Sequence, residues 1–345
     1  MRQYKKTSDS NPKPDPYPML LSPAFKDYLW GGNRLIDEYK KNTDLRPVAE
    51  SWELSCHPDG LCKVESGDLK GRILADLLDE YPEWIGSGAT GARDFPILIK
   101  FIDAKQDLSL QVHPGDAYAR ANENDNGKNE AWYVLDREPG ATLILGLKTN
   151  APPDKIQSLL AGGAILDYVN TIPVEPGDCY CVPAGLLHAI GGGILVAEVQ
   201  QSSNVTYRVY DYGRVGVDGK PRQLHTKRAA AVIDGTLRAY NNKDAASIRQ
   251  FRGYSVADLV DWPYFKLSQL DIDGEARLEC GCEAFHALLI TEGEFTVDYY
   301  DAPSTGENTA GEQAWQARKG ACVFVPAGLG SYSLRGKGRV LLATV

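Results

Sequence analysis

The sequence lacks any uninterrupted apolar run of the ~18 residues that a helix needs to cross a bilayer, which excludes a transmembrane helix. It also lacks a surplus of positive charge. The formal net charge is −9, which argues against a nucleic-acid groove or an anionic membrane surface as the main partner. A few local Lys and Arg can still hold one phosphate inside an acidic protein. No Cys-x-x-Cys occurs among the seven cysteines. Cys179 and Cys181, like Cys280 and Cys282, are spaced by two, which in a strand puts both members on one face. They are read as reduced, mostly buried thiols ahead of a disulfide or a metal knuckle. Residues 1–18 are rich in Lys, Ser, Asn and Pro, carry no signal-peptide-like apolar segment, and are read as a flexible lead-in. A cytoplasmic location is the resulting expectation.

Long helical patterns are scarce as well. Helical spacing or helix-forming composition is confined to Leu74–Tyr81, Pro153–Leu160 and Thr226–Ile233. What is present is turn chemistry, 34 Gly and 20 Pro between short apolar runs, which predicts a mainly β architecture. Asn126-Gly127 and Asp218-Gly219 suit tight hairpin turns. A chain of 345 residues exceeds the roughly 250–300 at which single cores stop growing, so two domains are expected.

An internal repeat supports that division. Gly177-Asp-Cys-Tyr-Cys-Val-Pro-Ala-Gly-Leu-Leu-His188 returns as Gly320-Ala-Cys-Val-Phe-Val-Pro-Ala-Gly-Leu-Gly-Ser331. In each copy Gly starts a turn, the apolar run reads as a buried strand, Pro ends its pairing, and the second Gly permits a bend that returns a side chain to the interior. Two such distant copies imply two similar domains rather than a short-period solenoid. The expected division is a lead-in over 1–18, a first domain over 19–245 and a second over 250–345. His188 of the first copy is Ser331 in the second. If His188 binds a metal, the second domain has lost that ligand and is structural.

His57, His225 and His286 have no obvious partner in sequence; the other two histidines do. Asp107-Leu-Ser-Leu-Gln-Val-His113 alternates, so Ser109, Gln111 and His113 share one strand face. Lys128 and Glu130 share a face at the start of the next strand. Two imidazoles and a carboxylate on neighbouring strands can bind Zn²⁺, Fe²⁺ or another divalent ion, and His₂Glu with an open position is a catalytic zinc arrangement to which Gln111 can add an oxygen. Each of these residues alone reads equally well as a solvated strand position; their joint placement favours a site. Lys100 follows the apolar run Phe95-Pro-Ile-Leu-Ile. Arg208, Tyr210 and Tyr212 are expected on one strand face, as are Glu198 and Gln200. The alternative for Arg208 is an ion pair with Asp211 or Glu198.

Several segments together resemble a known family. Phe95-Pro-Ile-Leu-Ile-Lys100, Leu108-Ser-Leu-Gln-Val-His-Pro114, Lys128-Asn-Glu130 and Pro183-Ala-Gly-Leu-Leu-His188 are similar to the class I mannose-6-phosphate isomerases. The last also fits the cupin motif Gly-x₅-Pro-x-Gly-x₂-His. Tyr28-Leu-Trp-Gly-Gly32, Ala49-Glu-Ser-Trp-Glu53 and the stretch from Glu198 to Arg208 extend the likeness. It spans roughly residues 20–228 and weakens beyond. No block suits the helical domain that long members insert, so the chain resembles the compact bacterial form. Asn129 stands where many relatives have Pro, and it reads as tolerated variation.

The resemblance implies two cupin-like jelly-roll barrels with a few short helices, the second metal-free. It implies one Zn²⁺ per chain on Gln111, His113, Glu130 and His188, and catalytic roles for Arg208, Lys128 and Glu198. It further implies substrate contacts from Lys100, Ser109, Trp30 and Glu50, with Lys100, Ser109 and Lys128 at the phosphate or sugar. The implied reaction interconverts mannose 6-phosphate and fructose 6-phosphate through a cis-enediol or enediolate, in a monomer or homodimer without nucleic-acid or membrane partners. Glu198, Lys128 and Glu50 stand as candidates for the proton-transfer base. The rival readings are a non-haem metal oxygenase on the same barrel and a non-catalytic sugar-binding cupin.

Overall fold

A computed structural model describes residues 13–91, 95–216, 219–300 and 312–345. Among these residues strands dominate and the helices are short, as the turn-rich composition requires. The anticipated helices form at Leu74–Glu80, Pro153–Ala161 and Thr226–Val232. Asp116–Asn122 adds a further helix that no clear periodicity announced.

Two sheets build the first barrel. One runs in the order Cys179–Val182, Glu130–Arg137, Ile194–Gln201, Ile97–Ala104, Glu50–Leu54, Ala24–Lys26. The other runs Tyr207–Tyr210, Leu110–Val112, His188–Ile190, Thr142–Leu147, Val169–Pro173. Alternation decides what faces inward. On the strand Ile97–Ala104, Ile97, Ile99 and Phe101 join the core shared with the C-terminal half, while Lys100 and Ile102 face the barrel interior. All eight of its residues are buried because both faces are covered. Each fully buried Ile or Phe here contributes roughly 1.5–3 kcal/mol, enough to hold the strand while its opposite face carries charge.

A third sheet gathers the C-terminal strands from Ser247–Phe251 to Gly330–Thr344, and takes in Met19–Ser22 and Lys63–Val64 from the N-terminal region. Met19 pairs with Phe324, so the first described strand lies against the second copy of the repeat. In both copies the strand ends at the proline, Cys179–Val182 before Pro183 and Cys322–Val325 before Pro326. The flanking glycines share one conformation, with φ of 88° and 90° at Gly177 and Gly185 and 91° and 81° at Gly320 and Gly328. A side chain is strained at such angles, which explains why the glycines recur at fixed spacing.

Three local expectations are corrected. Asn126-Gly127 closes no hairpin, because Leu110–Val112 and Glu130–Arg137 sit in different sheets with a helix between them. Gly127 instead packs where a Cβ would lie 2.4 Å from the Asp116 nitrogen, and its N–H donates to Asp116 Oδ1 at 2.9 Å. Tyr212 does not share a strand face with Arg208, since the strand ends at Tyr210 and Tyr212 takes a left-handed φ of 55°. Cys282 lies past the end of its strand and is exposed, whereas Cys280 is buried. All seven cysteines are free thiols. Asp218, of the other proposed turn, lies outside the described residues.

Candidate metal centre and active site

Strand register assembles the site in two rows that face each other. Across the first sheet Trp52 pairs with Lys100, Lys100 with Glu198, and Glu198 with Trp132. Across the second, Arg208 pairs with Gln111 and Gln111 with His188. Glu130 pairs with Gln200 on the strand beside Glu198. His113 follows the strand Leu110–Val112, and its carbonyl accepts from the N–H of Gly185 at 2.9 Å. The Pro-Ala-Gly turn that delivers His188 is thereby tied to the His113 backbone.

His113, Glu130 and His188 converge, with one candidate ligand atom from each lying within 4.8 Å of the others. His113 Nδ1 donates to the Val205 carbonyl and His188 Nδ1 to the Leu186 carbonyl, both at 2.8 Å. Each Nε2 therefore presents a lone pair, and the two stand only 3.1 Å apart. Two lone pairs brought together without a proton between them suit a shared electrophile, and the Lys128 ammonium stands 3.2 Å from the His113 nitrogen. Glu130 sharpens the case, because both of its oxygens are buried without a hydrogen-bond partner. Lys128 Nζ stands 2.9 Å from Oε2 as an ion pair. Gln111 Nε2 lies 3.4 Å from His188 Nε2, so a half-turn of that amide presents its oxygen to the same point. The donor set and its orphaned oxygens fit a divalent cation, and carbonyl-anchored imidazoles are its usual support.

The charges around this group are arranged to match. Burial and the nearby Lys128 ammonium hold His113 far below the usual imidazole range, and burial lowers His188 to about 4. Both rings are neutral and able to ligate. Burial raises Glu130 to about 7 despite Lys128. For Glu198 burial pushes upward, but Lys128, Lys100 and the Trp132 indole N–H at 2.9 Å together win and keep it ionised. Burial pushes Lys100 downward, and Glu50 and Glu198, 3.5 and 3.3 Å away, more than offset it.

A cavity of about 260 Å³ opens beside the His–Glu–His group. It is lined by Trp30, Glu50, Lys100, Ser109, Gln111, Lys128, Glu198 and Arg208, so every residue singled out in the sequence lies either on the cavity or in the His–Glu–His group. Arg208 makes neither anticipated ion pair: Asp211 is taken by Arg214 and Arg222. Arg208 Nε is buried without a partner, and Nη1 donates to the Gln223 carbonyl at 3.1 Å. Gly31 and Gly32 let the Trp30 segment approach, since a Cβ would come within 2.5 Å of Ala49 or 2.3 Å of Asp103.

Sequence reasoning missed Tyr28, Trp132, Asn204, Thr206, Arg222 and His225, all of which line the cavity. Trp132 was readable, since it sits two residues from Glu130 on the same strand face. Arg222 and His225 follow an irregular segment with no periodicity to read. His225 gains its place by accepting the Arg208 backbone N–H at 3.1 Å. Asn129 is more than tolerated variation. It is buried, its Nδ2 donates to Gln201 Oε1 at 2.7 Å, and its Oδ1 accepts from Ala184 N at 2.9 Å. It thus braces the Glu130 strand against the turn before His188.

The family model for the phosphomannose isomerase type I catalytic domain matches residues 19–143. The chain is 33% identical to the mannose-6-phosphate isomerase ManA of Bacillus subtilis over 92% of this chain and 96% of that protein. It is 33% identical to the mannose-6-phosphate isomerase of Streptococcus mutans over 92% and 95%. Its structure is similar to the crystal structure of the Bacillus subtilis mannose 6-phosphate isomerase, with a TM-score of 0.85, 33% identity, and coverage of 95% of this chain and 99% of that one. Among the described residues no helix is long and apolar enough to cross a membrane.

Proposed function

The chain belongs to the type I phosphomannose isomerases, and we propose that it interconverts mannose 6-phosphate and fructose 6-phosphate through a cis-enediol or enediolate with one Zn²⁺ per chain. The observation that carries the metal-dependent reading is the pair of facing imidazole nitrogens beside the Glu130 carboxylate, whose buried oxygens accept no hydrogen bond. A bound zinc ion would polarise the reacting oxygen of the substrate. Gln111, His113, Glu130 and His188 would hold it. The remaining work falls to the cavity wall.

Moving a proton between C2 and C1 builds negative charge on the neighbouring oxygen. Arg208, which lines the cavity, supplies a fixed cation there. Such preorganised charge is effective because the site need not reorganise as the reaction proceeds. Glu198 is the proposed proton carrier. It is ionised, its Oε2 is anchored on Trp132, and its Oε1 has no hydrogen-bond partner. Lys100 Nζ at 3.3 Å and Lys128 Nζ at 4.0 Å from that oxygen balance its charge as the proton comes and goes. Lys100 and Ser109 bind the sugar, and Trp30 and Glu50 shape the wall behind it. The second barrel serves as a metal-free scaffold.

The test is a coupled assay that follows fructose 6-phosphate formed from mannose 6-phosphate by metal-replete protein. A chelator is expected to stop turnover and added Zn²⁺ to restore it. Absence of turnover in folded, metal-loaded protein would overturn the reading.

A further inference from the structure

Residues 56–60, 124–126 and 202–206 are irregular segments that meet beside the first barrel. The last of them reaches the His–Glu–His group. It links the strand that carries Glu198 to the strand that carries Arg208. Within this link the Val205 carbonyl accepts from His113 Nδ1 at 2.8 Å, which turns the ring so that Nε2 faces Glu130 and His188. Residues 203–206 lie in no strand, and side chains from the other two segments hold the link in place. Asn126 Nδ2 donates to the Ser202 carbonyl at 3.1 Å. Asp125 Oδ2 accepts the Asn204 N–H at 3.3 Å, and Asp59 Oδ2 accepts from Asn204 Nδ2 at 2.7 Å. Asn204 is thus gripped by two carboxylates, one on its main chain and one on its side chain.

His57 stands between those two carboxylates. Resting on the metal-dependent reading, we infer that His57 is a positioning residue for His113, acting through Asp59, Asp125 and the 202–206 link. Its Nδ1 accepts the Asp59 N–H at 3.1 Å, so the neutral ring carries its hydrogen on Nε2, the nitrogen 3.7 Å from Asp125 Oδ2. Nδ1 lies 3.7 Å from Asp59 Oδ2. Two negative groups that hold one amide repel each other, and the imidazole separates them. Burial pushes Asp125 upward, and His57 with the Asn126 and Asn204 N–H groups more than offsets it, which keeps that grip ionised. The ring has little room to leave. Its side chain is 12% exposed, and it crosses the wholly buried Trp52 ring at 74° with centroids 6.0 Å apart. Gly60 presses the same segment onto Trp52, where a Cβ would come within 2.6 Å of the indole. The partner behind a ligating imidazole fixes its tautomer and its aim. Here that partner is a loop carbonyl, which is only as fixed as the clamp on its loop.

The test uses two variants of the full chain that separate the ring from its nitrogens. His57→Phe keeps an aromatic ring against Trp52 and removes both polar atoms. His57→Gln removes the ring and supplies an acceptor and a donor. Zinc affinity is read by competition with a chelator, and the geometry of the site by the visible spectrum of the cobalt-substituted protein. His57→Phe is expected to weaken zinc roughly 10-fold, the low end for lost support behind a ligand, and to shift the cobalt bands. His57→Gln should recover most of the affinity and the wild-type bands. Asp125→Ala removes the grip from its other side and should behave as His57→Phe does; it decides the matter if His57→Phe does not fold. A role in packing alone predicts the reverse order, with His57→Gln the weaker binder, and that result overturns the inference. So does equal loss in both His57 variants, or unchanged zinc binding in His57→Phe or, should that not fold, in Asp125→Ala. Wild type that binds neither zinc nor cobalt overturns the metal-dependent reading and this inference with it. Wild type and variants that bind metal as expected, yet convert no mannose 6-phosphate, overturn the isomerase reading and leave the clamp standing.

Discussion

The two copies of the Gly-x₅-Pro-Ala-Gly-Leu turn share backbone angles and strand placement but differ in what they deliver. The first ends on His188, wholly buried beside Glu130 and His113; the second ends on Ser331, which is exposed. The interiors behind them differ in the same sense. The described buried polar and charged residues of the C-terminal region are Thr291 and Asp298. The first barrel buries Glu50, Lys100, Ser109, His113, Lys128, Asn129, Glu130, His188, Glu198 and Gln200. Phe285, Phe295 and Phe324 fill the core of the C-terminal region instead. One turn design thus supports either chemistry or packing, and the inward-facing side chains decide which. Burying so many charges is costly unless each is paired or ligated, so the polar barrel leans on the apolar one across a shared core.

The contrast can be broken at its centre. His188→Ala should remove metal and activity together, with turnover down roughly 100-fold or more, as read by metal analysis and the coupled assay. Activity retained at full metal occupancy would mean the ligand set is wrong. Its counterpart in the apolar barrel is Phe324→Ala. That change should cost about 3–5 kcal/mol of stability while the folded fraction keeps its metal, a split that denaturant unfolding and metal content measure separately. Asn129→Ala tests the brace between strand and turn. Loss of its buried hydrogen bonds should cost about 1–3 kcal/mol and weaken zinc about 10- to 100-fold against a competing chelator.

A smaller effect follows from the raised Glu130 carboxyl. In metal-free protein the folded state keeps a proton on Glu130 between 4.5 and about 7 that the unfolded chain releases. This contribution favours folding at low pH and is lost as pH rises through about 7. The melting temperature of the metal-free wild type, relative to metal-free Glu130→Gln, should therefore fall across that window; parallel profiles would refute it. The smallest expected effect is Ser331→His. An exposed imidazole with no buried carboxylate beside it should leave metal content at one per chain and change stability by less than about 0.5 kcal/mol. A second bound metal would show that the turn alone makes the site.

Much of the candidate site was legible because strands expose their faces to simple counting. Period-two alternation put Ser109, Gln111 and His113 together and paired Lys128 with Glu130, and the repeated Gly-Pro-Gly spacing singled out His188 against Ser331. The short helices at Leu74–Glu80, Pro153–Ala161 and Thr226–Val232 were marked by local pattern. Asn126-Gly127 misled because a turn dipeptide states a local bend and not which strands it joins. Asn129 misled because its value lies in partners at Gln201 and Ala184, far away in sequence.

The sequence by itself determined the strand-rich architecture, the doubling of the turn and the donor types at the candidate metal group, since these depend on residue identity and spacing along one strand. Only the tertiary structure decided the register that sets Lys100 against Glu198, the imidazole lone pairs that face each other, and the assignment of Asp211 to Arg214 and Arg222 in place of Arg208. The physical reason is that pairing between strands, burial and charge balance depend on distances between segments far apart in the chain, and those distances exist only once the sheets have closed.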